Sequence, residues 1–134
     1  MEYVLTAAEM KQCDEQTTTE YGIPSLVLME RAALETARII TGRYGTDISV
    51  GIVAGSGNNG GDGIAIARIL QESGVSVQVH LMGEEAKCTE QTRMQIRAAR
   101  MLDIPIHYGM DNYLYDVIVD AICLLYTSPS PRDS

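Results

Sequence analysis

Residues 48–72 read ISVGIVAGSGNNGGDGIAIARILQE, and this stretch decides the fold. Its first part, Ile48–Ala54, is a short apolar run with β-branched residues, which predicts a buried strand. Its last part, Ile64–Glu72, is apolar on more than one side, which predicts a well-buried helix. The glycine-rich turn Gly55–Gly63 lies between them. A strand, a glycine-rich turn and a helix in this order are typical of a nucleotide site in an α/β fold.

The rest of the chain continues this alternation of strands and helices. Two helices are predicted before the first strand, one from a capping box at Thr6 to Gly22 and one that begins at Pro24 and Ser25. The segments predicted after the glycine-rich turn are strands at Val75–Met82, Ile104–His107 and Tyr115–Ile122 and a helix at Thr89–Leu102. Strands that alternate with helices predict a parallel sheet in an α/β protein.

Composition narrows the class of protein. The chain has 134 residues, of which 46% are hydrophobic, which fits one globular domain. Its formal net charge of −8 argues against a nucleic-acid partner and against an anionic membrane surface. Its three cysteines leave one unpaired, its first residues do not resemble a signal peptide, and no apolar run is long enough to span a bilayer. We therefore expect a cytoplasmic protein with no membrane partner.

The glycine-rich turn admits three interpretations. A P-loop would end in Gly-Lys-Ser or Gly-Lys-Thr, and Gly61-Asp62-Gly63 stands there instead, which excludes it. The spacing of Gly55, Gly57 and Gly60 fits a dinucleotide fingerprint, but the charge of Asp62 would repel a pyrophosphate at the helix start. Glu84 and Glu85 are only loose candidates to bind a ribose in that interpretation.

The third interpretation rests on the polar side chains of the turn. Asn58, Asn59 and Asp62 supply amide and carboxylate oxygens together with donors, which suit hydroxyls, an amide or a hard cation. Asp120 lies near the carboxyl end of an apolar strand, where open α/β sheets bind their ligands. His80 and His107 have no second ligand at metal spacing and are predicted to be surface or packed histidines.

The last twelve residues, CLLYTSPSPRDS, break the pattern of the domain. A disordered terminus is one interpretation. Our preferred hypothesis is that these residues, 123–134, are non-native, because they resemble the translation of a sequencing transposase adapter. In that case residues 1–122 are the N-terminal part of a domain that is truncated at its C-terminal side. Re-amplification of the locus from genomic DNA tests this expectation.

Several segments together resemble the YjeF N-terminal domain family, the NAD(P)HX epimerases. The segments are Thr6–Met10, Asp14, Gly22-Ile23-Pro24, Leu28-Met29-Glu30, Gly55–Gly63 and Asp120-Ala121-Ile122. The sequence NNGGDG after a strand is far more specific to that family than G-x-G-x-x-G is. The resemblance implies a Rossmann-like three-layer α/β/α sandwich and an isomerase that interconverts the R and S epimers of hydrated NADH and NADPH.

The resemblance also implies roles for particular residues. The damaged nucleotide would bind to Asn58, Asn59, Gly60, Gly61 and Asp62. A potassium ion would be held by Asn59 and Asp120. A dehydratase, fused or separate, would consume the S epimer, and a homodimer is compatible with the family. The family continues after Asp-Ala-Ile with a glycine-rich loop and a later acid and serine that this chain does not show.

Three functional classes stay open from the sequence. The first is the epimerase, for which no catalytic acid–base pair can be named, so the chain alone is expected to be inactive. The second is a non-catalytic scaffold, because the same fold resembles a module of an mRNA-decapping scaffold protein. The third is an ordinary NAD-dependent oxidoreductase, which should bind intact NADH about as well as its hydrate.

Overall fold

The computed structural model describes residues 25–109 and 114–122 and the backbone of 3–6; the side chain of Asn58 is not described. Five parallel strands form one sheet in the order β1-β5-β2-β3-β4. The strands are β1 (Tyr3–Thr6), β2 (Ser49–Ala54), β3 (Ser76–Leu81), β4 (Ile106–Tyr108) and β5 (Val117–Ala121). This arrangement confirms the predicted α/β class with a parallel sheet.

The described helices are α1 (Ser25–Tyr44), α2 (Asn58–Glu72) and α3 (Glu90–Met101), with a short 3₁₀ turn at Glu85–Lys87. Helix α2 lies at the centre, because it packs on β2, β3 and β5 and also contacts both α1 and α3. Its residues from Gly60 to Ala67 are all buried. A helix with neighbours on every side must be apolar all round, which explains the pattern of its sequence.

The two faces of the sheet differ in character. Ile52, Val79 and Val119 belong to the same buried cluster as the helices, so they point towards α2. Because side chains alternate along a strand, the neighbouring residues point to the other face. Val53 pairs with both Asp120 and His80, so these residues form one row across that second face. The row therefore places two polar side chains, those of His80 and Asp120, on the second face on either side of Val53.

Three differences from the predicted elements stand out. Strand β1 was not predicted, and Thr6, at which the capping box of the first helix was predicted, is the last residue of β1. Helix α2 begins at Asn58 and not at Ile64, so the NNGGD segment is helical. Leu102, the last residue of the helix predicted at Thr89–Leu102, follows the end of α3 and is 40% exposed. The predicted helix up to Gly22 and the tail 123–134 lie outside the described residues.

Candidate functional site

The candidate site lies where the strand order changes direction. From β2 the chain passes through α2 to β3 and then to β4, moving towards one edge of the sheet, whereas β5 lies on the opposite side of β2. A crevice at the carboxyl ends of such strands is the usual ligand site of open α/β sheets. The glycine-rich segment follows β2, and Asp120 lies on β5, so the topology brings both to this place.

Backbone contacts hold the glycine-rich segment that follows β2 close to the ends of β2 and β5. The N–H of Gly55 donates to the carbonyl of Ala121 on β5 (3.1 Å). A Cβ atom on Gly60 would lie 1.8 Å from the carbonyl oxygen of Gly55, and one on Gly63 would lie 2.7 Å from the Cβ of Ala121. Side chains are therefore excluded at these positions, and the first turns of α2 lie directly against the ends of β2 and β5.

Asn59 is the most informative residue of the site. It is the second residue of α2, and only 1% of its surface is exposed. Neither the nitrogen nor the oxygen of its side-chain amide has a hydrogen-bond partner among the described residues. A buried amide without partners costs free energy in the folded protein, and native structures contain few of them. Such a group is expected where a ligand completes its hydrogen bonds.

The other residues of NNGGD take two different roles. Asp62 lies in the second turn of α2 rather than in the first, and it is buried, with 4% of its surface exposed. A Cβ atom on Gly61 would lie 3.0 Å from the hydroxyl oxygen of Thr92 and 3.3 Å from Cε of Met29. Gly60 and Gly61 thus allow close packing of α2, whereas Asn59 and Asp62 carry the polar groups.

Asp120 approaches the same edge of the sheet from the second face. It pairs with Val53 of β2 and is partly buried. Its Oδ1 accepts a hydrogen bond from the N–H of Ile122 (3.2 Å), which holds the carboxylate near the end of β5. The carbonyl of Ile122 in turn lies beside Gly55. Asp120 and Asn59 thus belong to adjacent chain segments, although no hydrogen bond joins their side chains.

The described residues contain no group of three or more His, Cys, Asp or Glu side chains that could hold a metal ion. An ion at this edge would therefore depend on amide and backbone oxygens as well as on carboxylates. The amide oxygen of Asn59 and the carboxylate of Asp120 are hard donors that suit potassium chemically. This donor set fits an alkali cation better than a transition metal.

Helix α3 supplies residues that the sequence did not identify as part of the site. The N–H of Thr89 donates to the carbonyl of Ser56 (3.0 Å), and the hydroxyl of Thr92 donates to the carbonyl of Gly57 (2.7 Å). Thr92 lies within the helix predicted at Thr89–Leu102, and it is fully buried. Its contact with the glycine-rich segment depends on how α2 and α3 pack, which the sequence pattern does not reveal.

The two histidines come together on the second face of the sheet. Their rings stack with centroids 4.9 Å apart, and His80 is 7% exposed, which confirms that it is a packed histidine. Nδ1 of His80 lies 3.0 Å from the carbonyl of Gly109, so this nitrogen carries the proton, and Nε2 lies 2.6 Å from the hydroxyl of Tyr115. His107 is exposed, and its Nε2 contacts the side chain of Gln78.

Cys88 is a buried free thiol whose pKa is raised by burial.

Glu85 does not serve as a free carboxylate for a ribose. Its two oxygens accept hydrogen bonds from Arg100 (2.9 and 2.7 Å), and one also accepts from the hydroxyl of Tyr108 (2.8 Å). These bonds, with Arg100 first and Tyr108 second, lower the pKa of Glu85 from 4.5 to about 2. Glu84 pairs with Lys87 (3.2 Å). Both carboxylates are thus engaged in local ion pairs.

The lowered pKa of Glu85 predicts a specific dependence of stability on pH. Because the folded pKa lies below the unfolded one, the contribution is fully present above pH 4.5 and is lost as the pH falls towards 2. Glu85 is 35% exposed, so solvent screening keeps the contribution at about 1 kcal/mol or less. Urea denaturation of wild type and Glu85→Gln between pH 7 and 2 measures it. The difference between the two proteins should shrink over that acidic range, and a constant difference would contradict the assignment.

None of the helices in the described part of the chain is both long and apolar enough to cross a membrane.

In comparisons with known proteins, residues 25–134 match the family model described as YjeF-related protein N-terminus. A crystal structure of the yeast protein ynu0 superposes with a TM-score of 0.71 at 22% identity, over 97% of this chain and 61% of that one. That likeness establishes a shared fold.

Several curated relatives that match the chain carry the name NAD(P)H-hydrate epimerase. The one from Weissella koreensis is 43% identical, over 88% of this chain and 54% of the relative. The one from Levilactobacillus brevis is 40% identical, over 91% of this chain and 57% of the relative. The chain thus spans about half the length of the curated relatives it matches. Because the family model covers most of the chain, the chain belongs to the YjeF-related protein N-terminus family.

Proposed function

We propose that this protein interconverts the R and S epimers of hydrated NADH and NADPH, so that a dehydratase acting on the S form can restore the coenzyme. The names of the curated relatives support this reaction. The observation that carries it is the buried amide of Asn59, which lacks hydrogen-bond partners within the described part of the chain. A polar ligand that enters the crevice would complete those bonds.

The nucleotide would bind at the N-terminus of α2 through Asn58, Asn59, Gly60, Gly61 and Asp62. Helix α2 begins after Gly57, whose residue type offers no side chain to cap the first turn. The positive end of the helix dipole and the backbone N–H groups there attract anionic groups such as phosphates. Gly60 and Gly61 keep this end of the helix close to β2 and α3. The amide of Asn59 would add a directed polar contact.

Potassium is the cofactor of this proposal. Asn59 and Asp120 would hold it at the carboxyl edge of the sheet, one through an amide oxygen and one through a carboxylate. A bound cation would also offset the negative charge of the phosphates beside Asp62 and Asp120. When bound, the ion would supply electrostatic stabilisation of the nucleotide, and Asn59 and Asp120 would be the residues that hold the ion.

Epimerisation at the hydroxyl-bearing carbon requires one group to take up a proton and one to return it. Two carboxylates are candidates from the sequence: Asp62 lies in the second turn of α2, and Asp120 lies near the carboxyl end of β5. We assign Asp62 to substrate binding and Asp120 to the cation, and we assign no residue of this chain to the proton transfer.

The buried polar site also bears on the alternative functions. A scaffold that only binds protein partners has no need of a buried amide that lacks hydrogen-bond partners among the described residues. An oxidoreductase would use a carboxylate after the second strand of the nucleotide fold to bind a ribose, and Glu85 is held by Arg100 instead. The epimerase therefore accounts for more of the structure than either alternative.

A binding titration tests the proposal on the chain itself. Calorimetry with NADPH hydrate and with intact NADPH, each in potassium and in sodium chloride, gives four affinities. We expect tighter binding of the hydrate than of NADPH and tighter binding in potassium than in sodium. Equal affinities for the hydrate and intact NADPH would support an oxidoreductase and overturn the epimerase. Decay of the R epimer in the presence of an S-specific dehydratase then measures turnover.

We place this reaction in the cytoplasm, with a dehydratase as fused or separate partner. The buried free thiol of Cys88 supports a reducing compartment. A homodimer belongs to the same proposal, and sedimentation of the purified chain measures it.

A further inference from the structure

We propose that Thr92 on α3 is a positioning residue that orients the backbone N–H groups at the start of α2 towards an anionic group of the ligand. This inference rests on the proposed nucleotide site, but it concerns a residue outside that site's motif. Thr92 is fully buried, and its hydroxyl donates to the carbonyl of Gly57 (2.7 Å). The same carbonyl accepts the N–H of Gly60 (3.0 Å), so two donors hold its direction.

Because the peptide bond is planar, these contacts also fix the direction in which the neighbouring backbone N–H groups point. In a trans peptide the N–H points opposite to the C=O of the preceding residue. The carbonyl of Gly57 points towards α3, so the N–H of Asn58 points away from α3. The carbonyl of Ser56 is bonded to the N–H of Thr89 (3.0 Å), so the N–H of Gly57 also points away from α3. Two successive N–H groups thus face the same side, which is the arrangement that binds anions.

A second observation points to a ligand at the start of α2. The amide of Asn59, one residue further along, is 1% exposed and makes no hydrogen bond with the described part of the chain. Thr92 is itself held in place, because its N–H donates to the hydroxyl of Thr89 (3.2 Å) and its hydroxyl also receives a bond from that group (3.1 Å). The start of α3 therefore acts as a rigid support for the start of α2.

Two substitutions separate the hydroxyl from the shape of the side chain. Thr92→Val keeps the shape and removes the donor, whereas Thr92→Ser keeps the donor. Thr36→Val is the matched control, since Thr36 is a buried threonine on α1 whose hydroxyl binds the carbonyl of Ala32 within its own helix (2.9 Å). The probes are inorganic pyrophosphate and NADPH hydrate. Calorimetry gives the affinities, and NMR follows the amide signals of Gly57 and Asn58.

We expect both probes to shift the amide signals of Gly57 and Asn58 in the wild-type chain. Thr92→Val should weaken binding of both probes about tenfold, while Thr92→Ser and Thr36→Val keep wild-type affinity. If Thr92→Val does not fold, Thr92→Ala removes the same donor. Three outcomes would overturn the inference. The variant without the hydroxyl could bind with wild-type affinity, Thr92→Ser could lose as much affinity as that variant, or the amide signals of Gly57 and Asn58 could fail to respond to the probes. If the chain binds pyrophosphate but binds NADPH hydrate no more tightly than intact NADPH, the proposed epimerase function is contradicted, whereas the role of Thr92 is not.

Discussion

Gly60→Ala should lower the free energy of unfolding by about 4 kcal/mol or more. The added Cβ would lie 1.8 Å from the carbonyl oxygen of Gly55 and 2.9 Å from its carbonyl carbon. Both are backbone atoms, so no rotation of a side chain can relieve the overlap. Relief would require α2 to move away from the end of β2, and the core on both sides of α2 would open with it.

Gly42→Ala provides the matched control. Gly42 also lies in a helix, α1, but a Cβ there would have nothing within 4 Å. Alanine is the better helix former, so this variant should gain up to about 1 kcal/mol. Urea denaturation followed by circular dichroism measures both variants. A Gly60→Ala protein that unfolds at the wild-type urea concentration would refute the close approach of α2 to Gly55.

The sequence predicted the core elements because their patterns are local. Ile48–Ala54 and Tyr115–Ile122 are apolar runs bounded by turn residues, and both are buried strands in the structure. The narrow stripe of α1 from Met29 to Ile40 was predicted by its helical spacing, and five of its six members are buried, while Ala32 is half-buried. These features depend on the alternation of apolar and polar residues alone.

The start of α2 could not be predicted in the same way. Asparagine and glycine are poor helix formers, so the NNGGD segment looks like a turn. It is helical in the structure, where Gly60 packs on the backbone of Gly55 and Gly61 packs on Thr92, a residue far away in the chain. The stacking of His80 on His107 likewise follows from the register of β3 and β4. Such contacts are set by tertiary packing and not by local pattern.

Asn59→Leu should change stability and ligand binding in opposite directions. Leucine has a similar volume and no polar atoms, so the variant no longer buries an amide that has no hydrogen-bond partner in the part of the chain that the structure describes. We expect its free energy of unfolding to rise by about 1 kcal/mol or more. Binding of NADPH hydrate should fall by about a hundredfold, because polar groups of the ligand would face an apolar side chain.

Gln95→Leu is the control for the removal of a buried amide. Gln95 is 5% exposed, like Asn59, but its amide accepts a hydrogen bond from Nε of Arg68 (2.8 Å) and contacts the sulfur of Met29 (3.6 Å). Its replacement leaves the Arg68 donor without that acceptor, so this variant should lose stability. Its hydrate affinity should stay at the wild-type value, since Gln95 lies on α3, contacts Arg68 of α2 and Met29 of α1, and is not assigned to the proposed ligand site.

The pair of variants distinguishes a structural amide from one kept for a ligand. A structural amide contributes to folding through its partners, so its loss destabilises the protein. A buried amide that has no hydrogen-bond partner in the protein lowers the free energy of unfolding. Its presence at the start of α2 is then explained by ligand binding and not by folding. If Asn59→Leu destabilises the protein as Gln95→Leu does, Asn59 is satisfied by the protein itself. In that case the proposed ligand site, which lies where the strand order changes direction, loses its central residue. The proposed epimerase function then loses the observation that carries it.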